Sequence, residues 1–428
     1  MRKTLILFIF LATFALVSCK SQDPVVLNIG TFAGSAWNVP NPETYFILDE
    51  AISRFEKQYP QIQVVYKSGI LRSDYSEWLS QKVLTGSEPD CFFILPEDFP
   101  LFADMGILEP LGDFLEKSKR LTDMQFFDST LQASTFNGIL YALPEECDSS
   151  LMFVNTTLLD ELGLSFPAAN WTWDDLLSLC KQATKDSNND GHLDTFGISG
   201  FSWSEAVYTN GQNLFNDSGT RALLDSEEVY ESFKFLFQLQ NLTKDERIPD
   251  FWDGNVLFSI AKYSWYRAYG YYPYSILKSG KFKWKATVLP RGPEGSNAAE
   301  LDTLALGISQ RSKHKQEAKL FIEFLLTDET LQGMHLQRSR GLSASQKNLD
   351  SESIQAILLN DITLEGDEIS TQTLARAINE SVVYPSFRKY QGAVRLINTY
   401  FPDIVGTEDK LRNSLYHLNN ELNAYLEE

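Results

Sequence analysis

The sequence predicts an α/β protein built on mostly parallel sheets flanked by helices. Residues 25–94 alternate strand, helix, strand, helix, strand, the rhythm of parallel strands joined by helical crossovers. The longer helical segments carry apolar residues at helical spacing, so each has one face to bury. The chain has 428 residues, enough for two or three domains with ample core, and its 43% hydrophobic content argues against disorder.

Val25 to Ile29 reads as a short strand, followed by the loop "GTFAGSAWNVPNPE". Phe46, Ile47, Ala51, Ile52 and Phe55 then define a helix that the Tyr59-Pro60 pair stops. "IQVVYKSG" alternates and is β-branched, which predicts a second strand. "DYSEWLSQKVLTG" is a helix closed by Gly86, and "PDCFFIL" is a third strand entered through a proline turn. "DFPLFADMGILEPLGDFLEKS" reads as helical, and "GILYALP" as a strand leaving this first unit. Helices are expected from Trp173 to Thr184 and from Glu227 to Leu242. "WKATVLP" is a late strand before the Pro/Gly-rich loop "RGPEGSNAAE". "KQEAKLFIEFLLTDETLQGMH" is amphipathic, with Ala318, Phe321, Ile322, Phe324 and Leu325 on its core face. From Thr371 onward the chain is mostly helical.

The first residues read as an export signal. Arg2 and Lys3 precede an apolar run from Leu5 to Val17, too short for a membrane span. Leu16-Val17-Ser18-Cys19 resembles a bacterial lipobox, in which the cysteine thiol is acylated and cleavage falls just before it. Removal of Arg2 and Lys3 takes the formal charge from -20 to -22. So acidic a chain is repelled by nucleic acid and by anionic membrane surfaces. Cys91, Cys147 and Cys180 remain, without a CxxC or Cys/His cluster, so a disulfide framework and a zinc site are not expected. His192, His314, His335 and His417 lie in no hydrolase or metalloprotease motif. Glu145, Glu146 and Asp148 offer carboxylates for glycoside cleavage, but adjacent acids in an acidic chain read first as a solvated loop. No catalytic residue is assigned.

The order of motifs resembles the extracellular solute-binding proteins of bacterial ABC importers, in particular the family that binds sugars and oligosaccharides. "AISRFEKQYPQIQVVY", "DYSEWLSQKVLTGSEPDCFFI", "MGILEPLGDFL", "FNGILYALP", "LMFVNTTLLDELGL", "WTWDDLLSLCKQAT", "WKATVLPRGPEG" and "LGISQRSKHKQEAKLFIEFLLTDE" follow the family's order. The resemblance implies a two-lobed periplasmic-binding-protein-like fold of type II, each lobe a mostly parallel sheet flanked by helices, with the ligand cleft between lobes. The expected division is a signal peptide at 1–18, an anchor linker at 19–24, lobe one at 25–143 and 287–338, and lobe two at 144–286 and 339–428. It further implies a monomer, lipid-anchored at Cys19 on the extracytoplasmic face of the cell membrane, that passes its solute to ABC permease subunits.

Aromatic residues make up 13% of the chain, a supply of flat faces for the C–H face of a sugar ring, while polar side chains bond its hydroxyl rim. Such groups are sought at the ends of the strands. Trp37 and Asn38 stand in the loop after the first strand, where the family contacts ligand. Glu97 and Asp98 follow the third strand. Glu145 and Asp148 follow "YALP", where the family's chain crosses lobes. Trp203 follows the strand after residue 194. Trp265 matches a place where the family often carries a stacking Trp, with Tyr266 beside it. Arg340, in "RSRGLSA", resembles a late loop that reaches the cleft. The alternatives are a cationic solute such as a polyamine, and a surface lipoprotein that binds or degrades glycans.

"DSNNDGHLD" places Asp186, Asn188, Asp190, the His192 carbonyl and Asp194 at calcium-loop positions, but position 12, where a bidentate Glu belongs, is Gly197. With a strand expected after it, this is not a paired EF-hand. It is either a structural Ca2+ staple or a turn held by its own Asx and Gly preferences. No cofactor is expected for activity.

Overall fold

A computed structural model describes residues 24–41, 44–216, 218–243, 247–269, 282–360, 368–383, 387–404 and 408–428. The signal segment 1–18 and Cys19 lie outside the described residues. The strands are β1 (Val25–Gly30), β2 (Ile62–Tyr66), β3 (Cys91–Ile94), β4 (Thr135–Phe136), β5 (Ile139–Leu140), β6 (Ala142–Asn155), β7 (Phe196–Ser199), β8 (Val256–Lys262), β9 (Trp284–Thr287), β10 (Leu301–Ile308) and β11 (Leu342–Ser343).

The first three strands form the expected parallel unit, with β1 between β2 and β3. Gly30 ends β1 where the two chains run close: a Cβ there would stand 2.6 Å from Phe92 Cβ. β10 then pairs antiparallel with both β3 and β6, so the sheet is mixed rather than purely parallel. In lobe two β7 and β8 are parallel, while β8 and β9 run antiparallel to β6.

One strand joins the lobes. β6 pairs with β10 up to Ser149 and with β8 from Ser150 onward, so the change of sheet falls inside the strand, a few residues after the boundary expected between 143 and 144. All fourteen of its residues are buried. This corrects the expectation of a solvated acidic loop at Glu145, Glu146 and Asp148. The acids stay inside because each meets a compensating group, described below. "GILYALP" likewise divides: Ile139 and Leu140 close a small hairpin with β4, and Ala142 begins the long strand. The chain crosses again between β9 and β10, and near β11, which pairs with Cys147 and Glu146.

Helices cover both sheets. In lobe one, Thr44–Gln58, Arg72–Leu84 and Lys315–Thr327 bury Phe55, Leu79 and Phe321 against Phe92 and Phe102. Phe55 meets Phe321 edge to face at 5.1 Å. Each such fully buried ring contributes roughly 2–3 kcal/mol through removal from water. In lobe two, Trp173–Ala183, Glu227–Gln240, Tyr390–Ile404 and Glu408–Glu427 pack Leu176, Phe233, Ile397 and Leu415 on Val154 and Phe258. "DFPLFADMGILEPLGDFLEKS" is two short helices, Phe99–Asp104 and Gly112–Lys117, because Gly106 takes a φ of 67° and Leu108 bridges to Ser309. The helix from Lys315 breaks at Asp328, whose carboxylate caps the next helix, Glu329–Arg338, by accepting from Leu331 N–H at 3.0 Å. No helix among the described residues is long and apolar enough to cross a membrane.

Candidate ligand-binding cleft

Of the cavities among the described residues, one of about 450 Å³ beside Arg120 and Asp328 is lined by lobe one and Lys347 without an aromatic ring, and three others bear on the choice of site. A groove of about 930 Å³ on the outside of lobe two has a rim of Glu227, Glu228, Glu231 and Glu294, and is lined by Trp173, Phe235 and residues up to Glu294. It engages one lobe only. A space of about 60 Å³ lies in lobe one beside Glu145, Glu146 and His335, room for water but not for a sugar ring. The third, about 360 Å³, is lined from both lobes: Pro96, Glu97, Leu101 and Asp302 on one side, Trp203, Tyr390, Asn398 and Phe401 on the other. Its size and mixed lining suit a small ligand.

Each wall of this cleft is held from behind. Glu97, at the end of β3, pairs with Arg72 at 2.8 Å, and the same guanidinium donates Nε–H to Ala36 O at 3.0 Å. Asp98 accepts from the Ser76 hydroxyl at 2.6 Å, and burial pushes its carboxyl up to about 6. Opposite, Ser202 caps the helix Trp203–Thr209 in a reciprocal box with Glu205, which fixes the Trp203 backbone. The Trp203 indole N–H donates to Asn398 Oδ1 at 2.8 Å. The Tyr390 and Tyr208 hydroxyls stand 3.0 Å apart, and burial raises both phenols. On the floor, Asp302 of β10 pairs with Lys262 of β8. Asp148 lies fully buried there and accepts from Ser264 N–H at 3.0 Å. Burial pushes its carboxyl up to about 7, against the pull of Lys262.

The structure thus brings Glu97 and Trp203 together on the cleft, with Asp98 and Asp148 behind its surface. The other expected residues lie elsewhere. Trp37 is buried in lobe one, its indole donating to Glu146 Oε2 at 2.7 Å. Asn38 is exposed with a φ of 55°, a turn position that suits Asn. Glu145 faces the small lobe-one cavity. Arg340 is buried and donates to Pro40 O at 3.3 Å and Arg338 O at 3.2 Å, tying the last crossing to the loop after β1. Trp265 is half exposed and is not among the described cleft lining. Tyr266 sits in the lobe-two core, 5.4 Å from the Trp284 ring. Asp302 and Lys262 escaped the sequence reading because only pairing across the sheet brings them together at the cleft floor, and Tyr390 and Asn398 because the helix Tyr390–Ile404 carries them there from far along the chain.

Behind the loop after β1 lies a second polar cluster. His335 Nε2 stands 2.6 Å from Glu146 Oε1, and Nδ1 stands 4.0 Å from Glu145 Oε1. Ser339 also donates to Glu146. Burial alone would raise the Glu146 carboxyl, but His335, Ser339 and Trp37 hold it below the usual range. Glu145, with the imidazole farther away, is pushed up to about 7 by burial. Burial opposes the charge on His335, yet the two carboxylates raise it to about 9.

In the loop 186–194 the acids turn onto their own backbone. Asp186 accepts from Asp190 N–H at 3.2 Å and Gly191 N–H at 2.9 Å. Asp194 accepts from Ser187 N–H at 2.7 Å and Asn188 N–H at 3.2 Å. Asn188 and Asp190 accept from Asp190 N–H and His192 N–H, each at 2.8 Å. Among the described residues no group of three or more His, Cys, Asp or Glu converges as a metal set. Gly197 has a packing reason: a Cβ there would stand 2.6 Å from Cys180 Cβ, where β7 presses on the helix Trp173–Ala183.

The chain is 22% identical over 202 residues to the maltotriose-binding protein of Pyrococcus abyssi, covering 47% of this chain and 42% of that one. To the arabinooligosaccharide-binding protein of Halalkalibacterium halodurans it is 23% identical, covering 45% and 42%. The alignments thus span less than half the length of these two relatives. Among solved structures, the sugar-binding protein MalE from Xanthomonas citri superposes with a TM-score of 0.76 at 17% identity, covering 94% of this chain and 98% of that one. An ABC substrate-binding protein from Listeria monocytogenes in complex with cycloalternan gives 0.68 at 21%, covering 95% and 100%. These likenesses establish the two-lobed α/β fold. The sequence profile described as bacterial extracellular solute-binding protein matches residues 40–332, well over half of the chain, and by that match the protein belongs to the bacterial extracellular solute-binding protein family.

Proposed function

We propose that the inter-lobe cleft binds a sugar or oligosaccharide, that the lobes close over it, and that the loaded protein delivers it to ABC permease subunits from a lipid anchor at Cys19. The observation that carries this reading is a cleft lined from both lobes by aromatic faces and hydrogen-bonding edges. Trp203, Tyr390 and Phe401 supply the faces, while Glu97, Asp302 and Asn398 supply the edges. A ligand that bonds both walls stabilises the closed arrangement over the open one. The relatives' names, which concern maltotriose and arabinooligosaccharides, favour a saccharide. Binding without bond cleavage fits the electrostatics. Of the lining acids, Glu97 is paired with Arg72 and Asp302 with Lys262, which holds both carboxylates in place as hydrogen-bond acceptors.

A thermal-shift panel of mono- and oligosaccharides and of polyamines tests the reading. A saccharide at about 100 times its Kd stabilises by about 2.7 kcal/mol. A rise with a neutral saccharide is expected. A rise with a polyamine alone would replace the saccharide with a cationic solute, and product release from an incubated glycan would replace binding with catalysis.

A further inference from the structure

The cleft floor contains a charged pair that no ligand contact explains. Lys262 is the last residue of β8, and β8 pairs with β6 so that Lys262 faces Ser150. Asp302 is the second residue of β10, and faces Asp148 on the same strand. Directly opposed residues of antiparallel strands share a face, and so do residues two apart on one strand. Asp302, Asp148, Ser150 and Lys262 therefore lie on one face, and Asp302 shows that this face opens on the cleft. The Lys262–Asp302 pair spans the point where β6 leaves one lobe's sheet for the other's. Beside it, Asp148 is fully buried, and its Oδ2 has no hydrogen-bond partner among the described residues.

We propose that Lys262 is a positioning residue of the binding site: its ammonium fixes Asp302 as an ionised acceptor on the cleft floor and supplies the counter-charge for the buried Asp148. The assignment rests on the cleft reading above. An ionised carboxylate that accepts from a hydroxyl makes a stronger bond than a neutral acid, and it must be oriented before the ligand arrives. A cation beside a part-buried carboxylate favours its charged form and fixes its direction. The groups that face Lys262 are Asp302 and Glu300 from the β10 side and Asp148 from β6. The helix Tyr263–Tyr269 brings Ser264 to Asp148, its amide donating at 3.0 Å, and the walls of the cleft carry Glu97 on one side and Arg388 and Tyr390 on the other. Lys262 is thus the cation paired with the floor carboxylate Asp302. The sign of its influence is visible at Asp148, whose carboxyl Lys262 pulls down and Asp302 pushes up.

Carboxyl-carbon NMR of aspartate-labelled full-length protein tests this, with the Asp148 signal assigned by its loss in Asp148→Asn. The wild-type midpoint is expected near 7. Lys262→Met raises it by about one unit or more, and Lys262→Arg restores it. Asp302→Asn moves it the opposite way, and this arm stands even if Lys262→Met fails to fold. Equal midpoints in wild type and Lys262→Met, or a rise in Asp302→Asn, overturn the assignment. Maltotriose titration in the same samples separates the two claims. Binding that weakens by about tenfold in Lys262→Met, and is restored in Lys262→Arg, supports the positioning role. Binding that is indifferent to Lys262 overturns it. A protein that shows both opposed shifts but binds neither maltotriose nor any saccharide of the thermal-shift panel refutes the saccharide reading and leaves the electrostatic role of Lys262 standing.

Discussion

At Glu145, Glu146 and His335, two carboxyls and one imidazole share a buried site, so their charges depend on one another. The imidazole binds its proton more tightly in the folded chain, at about 9 against an ordinary 6.5. Its contribution to stability is therefore complete below about 6.5 and is lost as pH rises through about 9. Glu145 acts in the same direction: raised to about 7, it costs stability as pH climbs from its ordinary 4.5 through 7. Glu146, held low, contributes above its ordinary range and loses that contribution in acid. His335→Gln is expected to lose about 3 kcal/mol at pH 6, because it leaves Glu146 buried without its partner. Urea midpoints measured from pH 6 to pH 9 should show the loss shrinking as pH rises. A loss constant across that range would mean that packing, not charge, is what His335 supplies.

The loop 186–194 shows how an element can be legible in type and ambiguous in purpose. Its acids and amides at alternate positions predict tight turns, and the bonds to its own N–H groups realise them. Asp194→Ala removes the acceptor for two backbone amides and the Asn188 side chain, and should cost about 1–2 kcal/mol in the presence of a chelator. If the mutant melts like wild type in chelator and differs only with added calcium, the turn depends on an ion instead. Gly197→Ala, at the position where a calcium loop would carry its Glu, should cost roughly 1–3 kcal/mol by pressing on Cys180, read as a lower urea midpoint at unchanged slope. Elements with strong periodicity were readable in advance: β1, β2, β3 and the helices Trp173–Ala183 and Glu227–Gln240 fall close to their expected places. β6 was not, because its polar run looks like a loop unless Trp37, His335, Ser339 and Lys262 are known to meet it. Those partners come from residues far away in the chain, and local propensity carries no trace of them.

For the whole molecule, length, the alternation of the first unit and the order of motifs sufficed for a two-lobed α/β chain. Antiparallel insertion of β10 between β3 and β6 did not follow from them, since the hydrophobic pattern of a buried strand is silent on direction. The same limit explains the site. Glu97 and Trp203 follow strand ends and are the expected residues that line the candidate cleft, whereas Tyr390 and Asn398 arrive on a C-terminal helix that folds back over lobe two. Tyr266 shows the converse, an aromatic at a suggestive place in sequence that the core absorbs. The central claim is that saccharide binding occurs between the lobes, on Trp203 and its opposing wall. Calorimetric titration of wild type and Trp203→Ala with maltotriose and an arabinooligosaccharide tests it most directly. One of these, or a related neutral oligosaccharide, should bind wild type at a single site, and Trp203→Ala should weaken it by about 2 kcal/mol, roughly 30-fold, at unchanged stoichiometry. Saccharide binding of equal strength in the folded Trp203→Ala protein would contradict the account.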